Sequence, residues 1–254
     1  MASLAENLVP EDSAFGSVFG PLPLWRTIGV LTVIHVAVPA AIAFVVAILA
    51  IIGGRSTNDF SYGATWLRIG VDVSYVILIA AILLGFARKV IRSRRFFAAF
   101  RWSGWRDGIW VIGGFVLAFA VCYGIEYGQI RFLHIKPDAS DLARDLSQSP
   151  HSPEAFVLAL SATLLIPMLE EIQFRGLLLG TLAPRFGWWP AGIVSSLIFA
   201  ALHYEPHNIA VHFAFGMIVA YVVRRTATLW TSYGIHALTN ALAIIWVLLD
   251  HAKR

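Results

Sequence analysis

The sequence predicts an all-α fold, a polytopic membrane bundle of about seven (six to eight) transmembrane helices. Three observations predict it. Of 254 residues, 58% are hydrophobic and only 13% charged, both well outside the range of a soluble domain. The apolar residues gather into long runs nearly free of charge. The few ionisable residues inside those runs are concentrated in the second half of the chain, as expected where polar groups serve a purpose in an apolar medium.

The runs, in order, are Thr27 to Ile52, Ile69 to Ala87, Ile109 to Ile125, Phe156 to Ala183, Trp188 to Leu202, Ile209 to Val223 and Thr226 to Leu249. Most approach the ~20 residues that cross a hydrocarbon core as a helix, and the shortest do so with their flanks included. Residues 1–23 carry no Lys or Arg but include Glu6, Glu11 and Asp12, so they lack the positive start of a signal peptide and read as a short exposed tail. Residues 24–107 form a two-helix membrane unit that ends in a basic interfacial segment, where Arg88, Lys89, Arg92, Arg94, Arg95, Arg101 and Arg106 alternate with Phe96, Phe97, Phe100, Trp102 and Trp105. Basic and aromatic side chains share a preference for the headgroup layer. Residues 108–254 form the membrane core.

The net charge of +4 does not indicate nucleic-acid binding. The basic cluster lies directly against a span, where anionic headgroups are the nearer partner, so the expected partners are membrane lipids and a membrane-associated polypeptide. Cys122 is the single cysteine, which excludes a disulfide framework within the chain and any multi-cysteine metal site. The expected location is a bacterial or archaeal cell membrane, with multiple passes.

Glu170, Glu171 and Arg175 interrupt the fourth run near its middle, where burial costs several kcal/mol by order of magnitude. Glu171 and Arg175 stand four apart with the acid first, the favourable order for a pair on one helical face. Glu170 points about 100° away and is left over. A carboxylate without a partner suits acid-base work. After a turn at Pro184 to Gly187, His203 on the next helix reaches a similar depth, ~24 Å from the turn against ~21 Å for Glu170, so an antiparallel pair would let the two meet. The last span adds His236 and Asn240, four apart on one face, whose ring and amide can donate to a developing oxyanion or act as interhelical polar glue. His203 to His207 reads H-Y-E-P-H, in which the glutamate is displaced from its place in H-E-x-x-H, and Pro206 opens the following helix. His207, His212, His35 and Asp72 carry less weight.

The motifs E-E-x-x-x-R (Glu170, Glu171, Arg175), F-x-x-x-H (Phe199, His203) and H-x-x-x-N (His236, Asn240) stand in order within residues 155–245. Together they resemble the CPBP family of intramembrane proteases, which includes the CAAX prenyl endopeptidase Rce1 and bacterial Abi-type immunity proteins. The resemblance implies that Glu170 and His203 activate water, that His236 and Asn240 stabilise the oxyanion, and that Glu171 and Arg175 support the site. The family is described both as metalloproteases and as glutamate-type peptidases that need no metal. A zinc site would take Glu170, His203 and His236 as its ligands. The glutamate reading is preferred because Asn240 is a poor zinc ligand, so no cofactor is favoured, and zinc or another divalent metal stays the alternative.

The function expected is hydrolysis of a peptide bond in a membrane-associated protein or peptide. A non-enzymatic scaffold or immunity protein, and a proton-coupled transporter using the same polar cluster, are the alternatives. Nothing in the sequence reads a prenyl group, so the substrate stays open. Under a seven-span topology the face bearing the basic loop, Arg185, Arg224 and Arg225 collects ten Lys and Arg against seven opposite, which makes it cytoplasmic and opens the site toward the other side.

Overall fold

A computed structural model describes residues 23–52, 99–137 and 152–251, with isolated positions between them at 77–79, 81, 82, 85, 143 and 146. Most of the expected span at 69–87, Asp72, the 1–22 tail and most of the basic loop lie outside the described residues.

The architecture is a helical bundle. Helix α1 (Leu24–Thr32) runs through a π turn (Val33–Ala37) into α2 (Val38–Ile52). Helix α3 (Trp105–Gly128) is followed by a second π turn (Gln129–Leu133). The site-bearing rod consists of α4 (Pro153–Leu160), a π turn (Ser161–Leu165), α5 (Ile166–Glu171), a longer π segment (Ile172–Leu179) and α6 (Gly180–Phe186). Then come α7 (Trp188–Ala201), a 3-10 turn (Pro206–Asn208), α8 (Ile209–Thr226) and α9 (Leu229–His251).

Among the described residues, five segments are long and apolar enough to cross a membrane: Leu24–Val45, Trp105–Leu133, Ala155–Phe186, Pro206–Thr226 and Leu229–Leu249. Helix α7, at 14 residues, spans about 21 Å and falls short of a full crossing. The protein is therefore an integral, multi-pass membrane protein, and the surface agrees. Trp25, Phe44, Phe119, Leu238 and Trp246 are exposed, whereas Glu171, Gln173, Arg175 and His236 are buried. That distribution inverts the rule for soluble proteins and is expected where lipid solvates the outside and polar groups must find each other within.

Local chemistry accounts for the ends and bends. The Ser152 hydroxyl caps α4 by accepting the Ala155 N–H at 3.0 Å, with Pro153 in the first turn, where its missing N–H costs nothing. Pro167 would remove a helical bond and crowd the preceding turn, and the wide turn Ser161–Leu165 directly before α5 gives it room. Gly187 takes φ +79° between α6 and α7, a conformation that glycine adopts without strain.

Helix α7 packs on α6 and α8, and α3 packs on α8 and α9. Gly216 makes the α7–α8 approach close, since a Cβ there would stand 2.9 Å from Ser196 Cβ. The N-terminal helix is fastened to the site-bearing rod by two side-chain bonds. Thr27 and Thr181 hydroxyls lie 3.0 Å apart, and His35 Nε2–H donates to Gln173 Oε1 at 2.9 Å. The two bonds are eight residues apart on each helix, the register of an antiparallel pair.

Candidate active site

The two neighbouring glutamates face different surroundings. Glu171 is fully buried; its Oε1 accepts from Arg175 Nη1 at 3.1 Å and from His236 Nδ1 at 3.0 Å. Arg175 Nη2 donates to the Gly216 carbonyl at 3.3 Å, and the guanidinium lies over the Phe199 ring, 4.5 Å from its centroid. The four-residue spacing therefore forms the expected ion pair. Glu170 has a side chain 22% exposed, and its Oε2 stands 3.5 Å from His236 Nε2.

His236 thus sits between two carboxylates. Because a carboxylate only accepts, the Nδ1 facing Glu171 carries a proton, and Nε2 faces Glu170, where it can donate as well. The ring is held in place by Phe215, at 4.9 Å between centroids, and by Phe199, at 5.9 Å. Sequence spacing did not reveal that Glu171 serves the histidine as well as the arginine, because the second bond crosses from α5 to α9.

Among the described residues no direct bond joins Glu170 to His203; the ion-pair contact of Glu170 is with His236. Depth along α7 was matched, but α7 ends at Ala201, and tight bonds from the Leu202, His203 and Tyr204 amides back to Ile198, Ala200 and Ala201 turn the chain toward α8. His203 Nδ1–H donates to the Phe199 carbonyl at 2.8 Å, its ring meets the Phe199 edge at 4.5 Å, and its face stacks on His212 at 4.0 Å. The carbonyl fixes the proton on Nδ1 and leaves Nε2 able to accept. Phe199 joins the groups: its 1% exposed ring touches Arg175, His203 and His236.

Asn240 lies one turn beyond His236 on α9, and its Nδ2 donates to the Ala162 carbonyl at 2.9 Å. One amide N–H is therefore engaged by the π turn Ser161–Leu165, and the second remains to donate elsewhere. Among the described residues, no three His, Cys, Asp or Glu side chains are grouped to hold a metal ion. Glu170, His203 and His236, the zinc set conditionally expected, are not grouped in this way.

Residues given little or no weight from sequence also line this region. Gln173 bridges His35 to the Leu169 carbonyl, to which its Nε2 donates at 3.1 Å. Ser195 Oγ–H donates to the Phe174 carbonyl at 3.0 Å. Glu205 accepts from His212 Nε2 at 2.9 Å and from Asn208 Nδ2 at 2.8 Å. The available signal was a polar residue within or bounding an apolar run, which marks burial without naming the partner.

Comparison with known proteins finds a similarity over the segment that holds these motifs. Residues 152–242 match the type II CAAX prenyl endopeptidase Rce1-like family. The matched segment contains all six residues of the three motifs that carry chemistry, and the Rce1-like match supports a membrane protease. The chain is 23% identical over 205 residues to "Putative membrane peptidase YdiL" of Bacillus subtilis strain 168, covering 77% of this chain and 78% of that protein. It is 25% identical over 142 residues to "Uncharacterized 24.3 kDa protein" of Escherichia coli, covering 54% of this chain and 63% of that protein. No solved structure matches.

Proposed function

We propose that this protein is a glutamate-type intramembrane endopeptidase that hydrolyses a peptide bond in a membrane-associated protein or peptide. The observation that carries the reading is the Glu170–His236–Glu171 arrangement, a partly exposed carboxylate 3.5 Å from an imidazole whose far nitrogen is anchored 3.0 Å from a buried carboxylate. A site needs its reactive acid accessible and its supporting acid hidden, and Glu170 at 22% against Glu171 at 0% meets that requirement.

In this reading Glu170 takes a proton from water as the hydroxide oxygen bonds to the scissile carbonyl carbon. The carbonyl π electrons move to oxygen, and the oxyanion accepts from protonated His236 Nε2 and from the free N–H of Asn240. Collapse of the tetrahedral intermediate breaks the C–N bond, and Glu170 returns its proton to the leaving amine. His203, with Nε2 unprotonated, accepts from the attacking water or from the amide of the substrate. Glu171 and Arg175 hold the His236 ring in register rather than meeting substrate.

The test is to reconstitute the native protein and Glu170→Gln separately in membranes from the source cell, and to map new polypeptide termini by mass spectrometry. Termini that accumulate only with the native protein identify substrate and bond. Identical terminus profiles would remove the peptidase reading.

A further inference from the structure

Glu205 and His212 belong to none of the three motifs, yet they adjoin the site through His203. Between α7 and α8 the chain reverses within a few residues, with Tyr204 at φ +55° and Pro206 opening the 3-10 turn. That reversal carries Glu205 back over the first turn of α8. One of its carboxylate oxygens, Oε2, accepts from both Asn208 and His212, at 2.8 and 2.9 Å. The His212 ring, anchored through Nε2, lies against the face of His203 with centroids 4.0 Å apart and planes 26° from parallel. Glu205 and His212 are each about four-fifths covered, with side-chain exposures of 19% and 21%.

We infer that Glu205 and His212 are positioning residues for His203: Glu205 fixes the His212 ring, and that ring holds the His203 imidazole by its face in the orientation that leaves Nε2 free. The inference rests on the peptidase reading for its activity arm. Three constraints act on one ring, namely a carbonyl at Nδ1, an aromatic edge and a stacked face, and only the stacked face depends on a side chain outside the motifs. An imidazole at the end of a helix would otherwise rotate about its two side-chain torsions and exchange tautomers. Stacking on a tethered neighbour removes that freedom before substrate arrives, and such preorganisation lowers the cost of reaching a reactive geometry. A bond that merely stapled the α7–α8 turn would not need a ring laid flat on His203.

Two readouts on the full-length protein in lipid nanodiscs test this. The first is turnover of a lipidated, quenched-fluorescent peptide. Glu205→Ala and His212→Ala are expected to lower kcat about tenfold with KM within about twofold. Glu205→Gln, whose carbonyl accepts the same two bonds, and His212→Phe, which keeps a flat ring without needing the tether, should each restore kcat to within about threefold. The second readout needs no substrate. Nitrogen-15 imidazole spectra should show His203 as the Nδ1–H tautomer in the native protein and as a tautomer mixture in His212→Ala. An unchanged His203 spectrum in His212→Ala overturns the inference, whatever the activity. Equal losses in the alanine variants and in Glu205→Gln and His212→Phe, accompanied by a lowered Tm, also overturn it by showing a structural staple only. A native-like Glu170→Gln protein contradicts the peptidase reading while leaving the spectroscopic arm to decide this one.

Discussion

Glu171 and His236, 65 residues apart in sequence, share a 3.0 Å hydrogen bond in the buried centre of the bundle. This bond ties the helix that carries Glu170 to the last helix, so the same carboxylate that neutralises Arg175 also aims the imidazole.

Glu171→Gln is therefore expected to be costly twice over. It leaves the Arg175 guanidinium, 1% exposed, without a counter-charge, a loss of about 3 kcal/mol, and it weakens the anchor on His236. Thermal unfolding in detergent micelles should show a clear drop in Tm, with turnover reduced as well. Glu171→Gln protein that is fully stable but inactive would mean that the two glutamates have exchanged roles.

Gly216→Ala tests the close approach of α7 and α8. The added Cβ would stand 2.9 Å from Ser196 Cβ and 3.2 Å from Ser196 Cα, so backbone must move, at about 1–3 kcal/mol. The displacement would also disturb the carbonyl that Arg175 reaches. Native stability in Gly216→Ala would show that the helices have slack here.

His203, beyond the end of α7, gives a pH prediction. Burial, followed by the neighbouring His212 imidazole, pushes its pKa from an ordinary 6.5 down to about 4. Since the folded value lies below the unfolded one, the unfolded chain takes up the proton first as pH falls. The His203 contribution to stability is thus intact above about 6.5 and is lost progressively between 6.5 and 4. Tm measured across this window should fall with acidity, and less steeply in His203→Gln. Turnover that needs neutral His203 should persist to roughly pH 5. Identical slopes for the native protein and His203→Gln would show that His203 does not titrate in this way.

Metal removal separates the two mechanisms described for the family. Protein treated with a strong chelator and verified metal-free by elemental analysis is expected to keep its turnover. Lost turnover restored by one equivalent of zinc or less would support metal catalysis instead.

Helix type, the approximate limits of the described apolar helices and the Glu171–Arg175 pair were legible in the sequence because each depends on periodicity along one helix. The turn at Gly187 and the helix start at Pro206 were legible for the same reason, as local backbone chemistry. What sequence did not reveal lies between helices. Gln173 receives His35 across two elements, Glu171 reaches α9, and His203 stacks on His212. Matched depth says that two side chains share a level of the membrane, but the rotation of each helix, set here by a π segment and by the early end of α7, decides which of them touch.

The most direct measurement of the central claim is the turnover of purified, correctly folded Glu170→Gln protein in lipid, beside the native protein and with Tm recorded for both. The amide preserves shape but cannot take up the proton of water. The account predicts a native-like Tm with cleavage lowered by at least about a hundredfold. Cleavage at the native rate by Glu170→Gln would contradict it.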